Sequence, residues 1–471
     1  MRHVHAFGND SLGDFDAVGL AERISSGDVS AAELVEAAIG RTEAVNPELN
    51  GLAYEAFDRA RTQASASRSG FFDGLPTYVK DNTNVAGMPT MFGTDAWQPH
   101  PALLDGDFVR LYLATGVIPL GKTQLPEFGL SAAAEHTRLG PVRNPWDTDY
   151  TAGASSSGSA AFVAAGVVPI AHADDGGGSI RIPAACNGLV GLKPSRGRLP
   201  LDKEVRRLPV NIVTHGVLTR SVRDTAAFYR EAERTWRPRA LPQIGDVRGA
   251  AKQRLKIAVV TRSVEQECSP ELREMTLRSA ALLEELGHRV EHVDKLPVPS
   301  SFGPDLLVYG SALAMAVVRT GRRMFGPTFD RTRLDNLTLG EDRYALHHLH
   351  RLPLAIVRLR ALRRHTARFY RNFDVLLTPT LAHETPPVGY FDPTAGYQQV
   401  SDRLLEWVTF TPVQNVTGEP AISLPLAESA SALPVGMMLS AGVGHEARLL
   451  ELAFELEEAR PWPRIQSPVR E

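Results

Sequence analysis

The sequence predicts an α/β protein, and three observations support that prediction. Between residues 75 and 235, short apolar runs, glycine-rich turns and helical stretches alternate, as they do in sheets covered by helices. Residues 255–293 have the pattern strand, helix, strand, in which Ser269-Pro270 begins the helix and Gly287 ends it. The composition, 43% hydrophobic and 22% charged, is that of a globular chain whose 471 residues can bury a large core.

The N-terminal region, residues 14–63, is predicted to be helical. Ser30 and Glu33 have the spacing of a capping box, and apolar residues recur at helical spacing after them. We expect the run to stop at Asn46-Pro47, because proline removes a backbone donor. This region is interpreted as scaffold.

The remaining elements follow from the same patterns. Apolar runs predict strands at 77–79, 167–171, 374–380 and 420–425. The last periodic segment predicts a helix at 445–459. No long glycine, serine or proline linker interrupts the chain. The sequence therefore predicts a single domain, 1–471, made of a helical region (1–70), a core (71–235) and the rest of the sheet with its covering helices (250–471).

An arginine-rich segment lies between residues 343 and 373. It holds eight arginines together with His347, His348 and His350, and leucine, isoleucine and valine recur among them at helical spacing. Such a helix is typical of a surface whose arginine stems cover apolar area, although membrane or nucleic-acid binding is the alternative. The histidines have no neighbouring carboxylate or cysteine set, so no metal site is predicted.

Charge and cysteine content exclude several classes of protein. The net charge of −3 gives no electrostatic footprint for a polyanion. Cys186 and Cys268 lie 82 residues apart without zinc spacing, so we expect two plain buried thiols. The N-terminus lacks an apolar stretch of signal-peptide length, and the longest apolar run, 160–170, is too short to cross a bilayer. We expect a soluble, cytoplasmic protein with no membrane partner.

Three segments, 74–82, 151–159 and 174–181, stand out as candidates for chemistry. The Gly/Ser cluster of the second continues directly into the apolar run 160–165, which indicates the start of a buried helix and not a linker. Three consecutive glycines of the third lie at a predicted strand-to-helix turn, where backbone N–H groups can converge on a phosphate or an oxyanion. No phosphate-loop or dinucleotide motif is present, so the oxyanion is favoured.

A nucleophile beside such an oxyanion hole would be Ser179, which directly follows the glycines. The GxSxG and SxxK patterns of other serine hydrolases are not matched. No histidine can be assigned as base, so the remaining candidate is Lys80, at the end of a short apolar strand where burial would lower its pKa.

Together these residues resemble the amidase signature family of Ser-Ser-Lys hydrolases. The resemblance rests on Lys80 in GLPTYVKDN, Ser155 in GASSSGS and Ser179 in DDGGGSIRIPAACNGLVGLKPSRG, and the 24-residue separation of the two serines equals that of the family. HADDGGGS and LPVN look most like the 6-aminohexanoate-cyclic-dimer hydrolase branch and its actinobacterial relatives. The resemblance implies a mixed central β-sheet covered by α-helices on both sides.

The resemblance also implies the roles of residues. Ser179 would be the acyl-accepting nucleophile, Ser155 the bridging serine after a cis peptide bond with Ala154, and Lys80 the base. The further implied residues are the oxyanion-hole amides of Gly176, Gly177, Gly178 and Ser179, the supporting Ser156, and the pair Asp175 and Arg181 that fixes the glycine loop. No cofactor or metal is implied.

The sequence departs from the family pattern at Ala154, Ser157 and Ala173-Asp174, where the family commonly has glycine or Gly-Thr. We expect a cofactor-independent amidase that cleaves a small or linear carboxamide to a carboxylate plus ammonia or amine. The alternative is the glutaminase subunit of a tRNA-dependent amidotransferase, and a non-catalytic binding protein is disfavoured because all three catalytic positions are filled. No nucleic-acid partner is expected, and a homodimer is left open.

Overall fold

The computed structural model describes residues 3–66, 69–264 and 266–466. Its strands are β1 (Leu52–Glu55), β2 (Pro76–Lys80), β3 (Ile118–Thr123), β4 (Glu135–His136), β5 (Gly140–Pro141), β6 (Ile170–Asp175), β7 (Val190–Lys193), β8 (Thr214–Thr219), β9 (Lys256–Val259), β10 (Arg289–His292), β11 (Val375–Pro379), β12 (Ala421–Glu428) and β13 (Pro434–Ala441). Its α-helices are α1 (Ala17–Ser26), α2 (Ala31–Leu49), α3 (Phe57–Ala64), α4 (Asp107–Ala114), α5 (Ser157–Ala164), α6 (Arg181–Asn187), α7 (Lys203–Arg206), α8 (Val222–Thr235), α9 (Pro270–Glu285), α10 (Phe302–Phe325), α11 (Asn336–His348), α12 (Leu352–Phe369), α13 (Tyr397–Trp407), α14 (Pro412–Thr417) and α15 (Glu446–Ala459).

A large mixed sheet forms the centre of the described chain. Its strand order is β10-β9-β11-β13-β12-β7-β8-β6, with β9 parallel to both β10 and β11 and the other pairs antiparallel. Helices α6, α8, α9 and α15 pack on it and close one continuous apolar core. The predicted α/β class with a mixed, helix-covered sheet is confirmed.

A smaller sheet, β1-β3-β2, brings the predicted base to the edge of the large one. β2 pairs in parallel with β3 and lies beside β6, the edge strand of the large sheet. The main-chain N–H of Lys80 donates to Nδ1 of His172 on β6 over 3.2 Å. The carboxyl end of β2 therefore lies next to the end of β6, from which the glycine loop departs.

The N-terminal helices follow the sequence prediction, with one correction. The Ser30–Glu33 capping box is formed, but α2 does not stop at Asn46-Pro47 and continues to Leu49. Pro47 lies in the last turn, so it removes a single helical hydrogen bond, and Asn50 closes the helix in the left-handed conformation.

The βαβ unit is present as predicted, because β9 and β10 are parallel and α9 begins after its N-cap Ser269. The strand predicted at 167–171 is shifted and occupies Ile170–Asp175 instead. Gly166, with φ +78°, turns the chain after α5, and the N–H of Val167 donates to Phe162 O over 2.9 Å. The first valines of the apolar run therefore belong to the end of the helix, and the strand begins only at Ile170. Cys186 and Cys268 are free, buried thiols, as expected.

The arginine-rich segment forms the end of α11, a short turn at Leu349–Arg351 and α12. Ala355, Leu359 and Leu362 of α12 are buried while its arginines face outward, which fits the interpretation as a surface helix. Helix α10 is long and apolar enough, by length and composition, to cross a membrane. It packs instead against α11 and α12 in the described structure.

Gly158 in α5 is predicted to be intolerant of a side chain. A Cβ there would overlap the carbonyl oxygen of Gly51 and stand 2.8 Å from the amide nitrogen of Gln124. We expect Gly158→Ala to lower the free energy of unfolding by about 1–3 kcal/mol, because the helix must shift.

The matched control is Gly40→Ala in α2, where a Cβ meets no atom within 4 Å. This change should stabilise the protein by about 0.5–1 kcal/mol through helix propensity. Urea denaturation of both variants measures the difference, and equal stability of the two would contradict the packing assigned to α5.

Candidate active site

Lys80 is fully buried at the end of β2. Its amine lies 2.6 Å from the hydroxyl oxygen of Ser155 and also contacts the carboxylate of Asp174. Burial lowers the pKa of Lys80, while the negative charges of Asp174 and Asp175 act in the opposite direction. The net lowering favours a neutral amine more than in an exposed lysine, which is what a base needs.

Ser155 lies directly before α5, and the bond from Ala154 to Ser155 is cis, as the sequence analysis predicted. The side chain is buried, and Gly129 packs close to it: a Cβ on that glycine would stand 3.2 Å from the Ser155 oxygen. The Ser155 hydroxyl is thus held between the Lys80 amine and the loop that contains Gly129.

Ser179 lies in the loop between β6 and α6, half-exposed, with Gly176 and Gly177 similarly accessible. Among the described residues its hydroxyl forms no hydrogen bond to Ser155, so the predicted role of Ser155 as a bridge between Ser179 and Lys80 stays a prediction. The N–H of Gly178 donates to Asp175 over 2.7 Å. Gly178 was predicted as an oxyanion donor, but its amide is engaged by this carboxylate, which leaves Gly176, Gly177 and Ser179 as candidate donors.

A buried ion pair shapes this loop. Two guanidinium nitrogens of Arg181 each lie 2.9 Å from an oxygen of Asp175, and neither side chain is exposed. Burial alone would raise the pKa of Asp175, but the Arg181 charge and hydrogen bonds hold it well below its usual range. Arg181 also donates to Thr411 O over 2.8 Å, and Asn415 donates to the Asp175 carboxylate over 2.8 Å. The loop is therefore tied to α14 and to the residue before it.

Asp174 is the residue near the predicted base that sequence reasoning missed. It was noted only as a departure from the family pattern, yet its carboxylate contacts Lys80 and accepts a 2.8 Å hydrogen bond from Asn82. Successive side chains of a strand point to opposite faces, so Asp174 and Asp175 contact different partners, but the strand predicted at 167–171 ended before them.

Ser156 is also placed beside the site, because its hydroxyl donates to the main-chain oxygen of Asp174 over 3.4 Å. His172 of β6 and His215 of the neighbouring strand β8 form a buried pair, joined over 3.1 Å. Burial lowers the pKa of both imidazoles. Burial therefore favours the neutral form of both rings beside Lys80.

One group of described side chains, Glu127, His136 and Asp335, places potential metal ligands within 4.8 Å of one another. Nδ1 of His136, however, accepts the main-chain N–H groups of Arg138 and Leu139 over 3.1 Å each. The ring proton therefore resides on Nε2, the nitrogen that would have to be free for a metal. This hydrogen bonding disfavours a metal centre at that position.

Comparison with known proteins places this geometry in context. A family model described as Amidase matches residues 33–450. AmiC of Mycobacterium leprae is 71% identical over 466 residues, covering 99% of both chains. The 6-aminohexanoate-cyclic-dimer hydrolase of Pseudomonas sp. strain NK87 is 32% identical over 491 residues, covering 97% of both.

A solved structure of a bacterial aryl acylamidase of the amidase signature family superimposes with a TM-score of 0.86 and 26% identity. The superposition covers 96% of this chain and 97% of that one.

Removal of Arg181 should be severely destabilising, since it leaves the Asp175 carboxylate buried without its partner. We expect Arg181→Met to cost about 3–5 kcal/mol in urea unfolding. The double variant Asp175→Asn/Arg181→Met removes both charges and should cost less than the single change. A double variant as unstable as the sum of the two single variants would show that the pair is not coupled.

Proposed function

The chain belongs to the amidase family and hydrolyses carbon–nitrogen amide bonds, and we propose that it does so through an acyl-enzyme on Ser179. The observation that carries this proposal is the hydrogen bond of 2.6 Å between the Lys80 amine and the Ser155 hydroxyl, formed in a buried setting. No other described basic side chain contacts Ser155, so the amine is the group that can take its proton.

In the proposed relay, neutral Lys80 accepts the proton of Ser155, and the Ser155 oxygen accepts that of Ser179. The Ser179 oxygen then attacks the amide carbonyl carbon, and the proton returns through Ser155 to the leaving nitrogen. Water repeats the sequence on the acyl-enzyme and releases the carboxylate. Ser179 must rotate or shift to meet Ser155 when substrate binds, which apo geometries commonly require.

The negative charge of the tetrahedral intermediate would lie against the main-chain N–H groups of Gly176, Gly177 and Ser179. The Asp175–Arg181 pair supports this proposal because it holds the loop in place before substrate arrives. Donors fixed in advance stabilise developing charge without reorganisation. We assign Ser156, Asp175 and Arg181 to this support and not to proton transfer.

For the substrate, we propose a small or linear carboxamide. The family match and the amidase relatives support this class. A screen of short aliphatic amides, aryl amides, amino-acid amides, cyclic 6-aminohexanoate dimer and glutamine tests this class.

The alternative, a glutaminase subunit of a tRNA-dependent amidotransferase, is not favoured by the relatives. We also propose that the chain acts as a single domain in the cytoplasm, without cofactor, nucleic acid or membrane, and that any self-association is a homodimer. The net charge of −3 supports the absence of a nucleic-acid partner. Full activity of the chain purified without any other protein tests the absence of a partner. The elution volume in size-exclusion chromatography tests the homodimer.

Ser179→Ala should abolish amide hydrolysis, because no other oxygen would be placed to form the ester. Release of ammonia or amine from the best substrate of the screen measures the effect, with a loss of at least about 10⁴-fold expected. Ser157→Ala, in the first turn of α5, serves as the control and should retain most activity. Turnover by Ser179→Ala at the wild-type rate would refute the assignment.

The pH dependence follows from the state of Lys80. Only the neutral amine accepts a proton, so activity should be present above the pKa of Lys80 and fall as pH decreases through it. Burial lowers that pKa from the ordinary value of 10.5, so the acidic limb of kcat/KM should lie below 10.5. A profile that rises toward acid pH would be incompatible with a neutral lysine base.

A further inference from the structure

Asp174 forms a contact that the relay described so far does not use. Its carboxylate touches the Lys80 amine, which also lies 2.6 Å from the Ser155 hydroxyl oxygen, so the amine contacts both groups. Asn82 fixes the other carboxylate oxygen over 2.8 Å. The contact is buried. The exposed fraction of the side chain is 0% for Lys80 and 12% for Asp174.

We propose that Asp174 is a positioning residue that orients the Lys80 amine toward Ser155 and stabilises the ammonium ion formed when Lys80 accepts the proton. The inference rests on the function proposed above and deepens it. A neutral amine has two N–H bonds and one lone pair. When one N–H donates to Asp174, the lone pair is free to face the Ser155 hydroxyl.

Charge balance in the step is simple. The proton leaves the Ser155 oxygen and joins the Lys80 nitrogen, and the Asp174 carboxylate stays anionic throughout. Burial alone would raise the pKa of Asp174, but the charges of Lys80 and His215 and the hydrogen bonds from Lys80 and Asn82 lower it. The same attraction has a cost: it makes the resting amine harder to deprotonate, so a higher pH is needed to reach the active form.

The other ionisable groups around Lys80 cannot take this part. On β6 the Asp175 carboxylate is engaged by Arg181. His172 accepts a hydrogen bond from the Lys80 main chain and is joined to His215 of β8. Burial lowers the pKa of both imidazoles, while the Asp174 charge acts in the opposite direction on His215. On the β3 side, Lys122 is paired with Asp81 over 3.0 Å.

The test is the pH profile of purified full-length variants. Asp174→Asn keeps the shape and removes the charge, so its acidic limb should move to lower pH, by about 1–3 units for loss of an opposite charge in contact. Its plateau kcat should fall about tenfold or more because the base is weaker, with KM little changed. Asp174→Glu keeps the charge and should hold the limb near that of the wild type.

Two further measurements separate this inference from a structural effect. Asp174→Ser is a second neutral variant, used with Asp174→Asn after thermal melting shows which of them folds. Asp246→Asn removes an equal charge at an exposed position paired with Arg230 and Arg248, and it should leave the acidic limb of the pH profile unchanged. The rate at which phenylmethylsulfonyl fluoride sulfonylates Ser179, measured against pH, should have the same acidic limb, and this measurement needs no substrate.

An acidic limb that stays at the wild-type pH in both neutral variants, or moves upward, would overturn the role of Asp174. If at the same time Ser179→Ala is inactive, the proposed function stands and only this inference fails. If Ser179→Ala retains wild-type turnover, the proposed function itself fails.

Discussion

The contact between the Lys80 amine and the Ser155 hydroxyl is the interaction on which the rest of the site depends. It requires that β2 of the small sheet end beside β6 of the large one and that α5 begin at the same place. Each partner comes from a different element, so the proposed proton path requires that both sheets and the helix be assembled. The main-chain bond from Lys80 to His172 contributes to this alignment.

The second constraint is electrostatic and concerns the two carboxylates at the end of β6. Because successive residues of β6 alternate, Asp174 faces the lysine and Asp175 faces the glycine loop. One strand end thereby supplies a carboxylate to Lys80 and another to the glycine loop. The buried Arg181 neutralises the second carboxylate, which a loop of glycines alone could not do.

Much of this could be read from the sequence, for local reasons. The capping box at Ser30, the helix at Ser269-Pro270 and the strand-to-helix turn around Gly177 depend on neighbouring residues. The end of α2, the start of β6 and the role of Asp174 were not predicted. The first two depend on how a helix closes, and the third depends on which strand lies beside β6, information that periodicity along one chain does not contain.

The most direct test of the central claim is the rate and site of covalent trapping by phenylmethylsulfonyl fluoride, followed by peptide mass spectrometry in the wild type and in Ser155→Ala. If Lys80 activates Ser179 through Ser155, the wild type carries one sulfonyl group on Ser179, and Ser155→Ala acquires it far more slowly. Equal rates in the two proteins, or an adduct on a residue other than Ser179, would contradict the account.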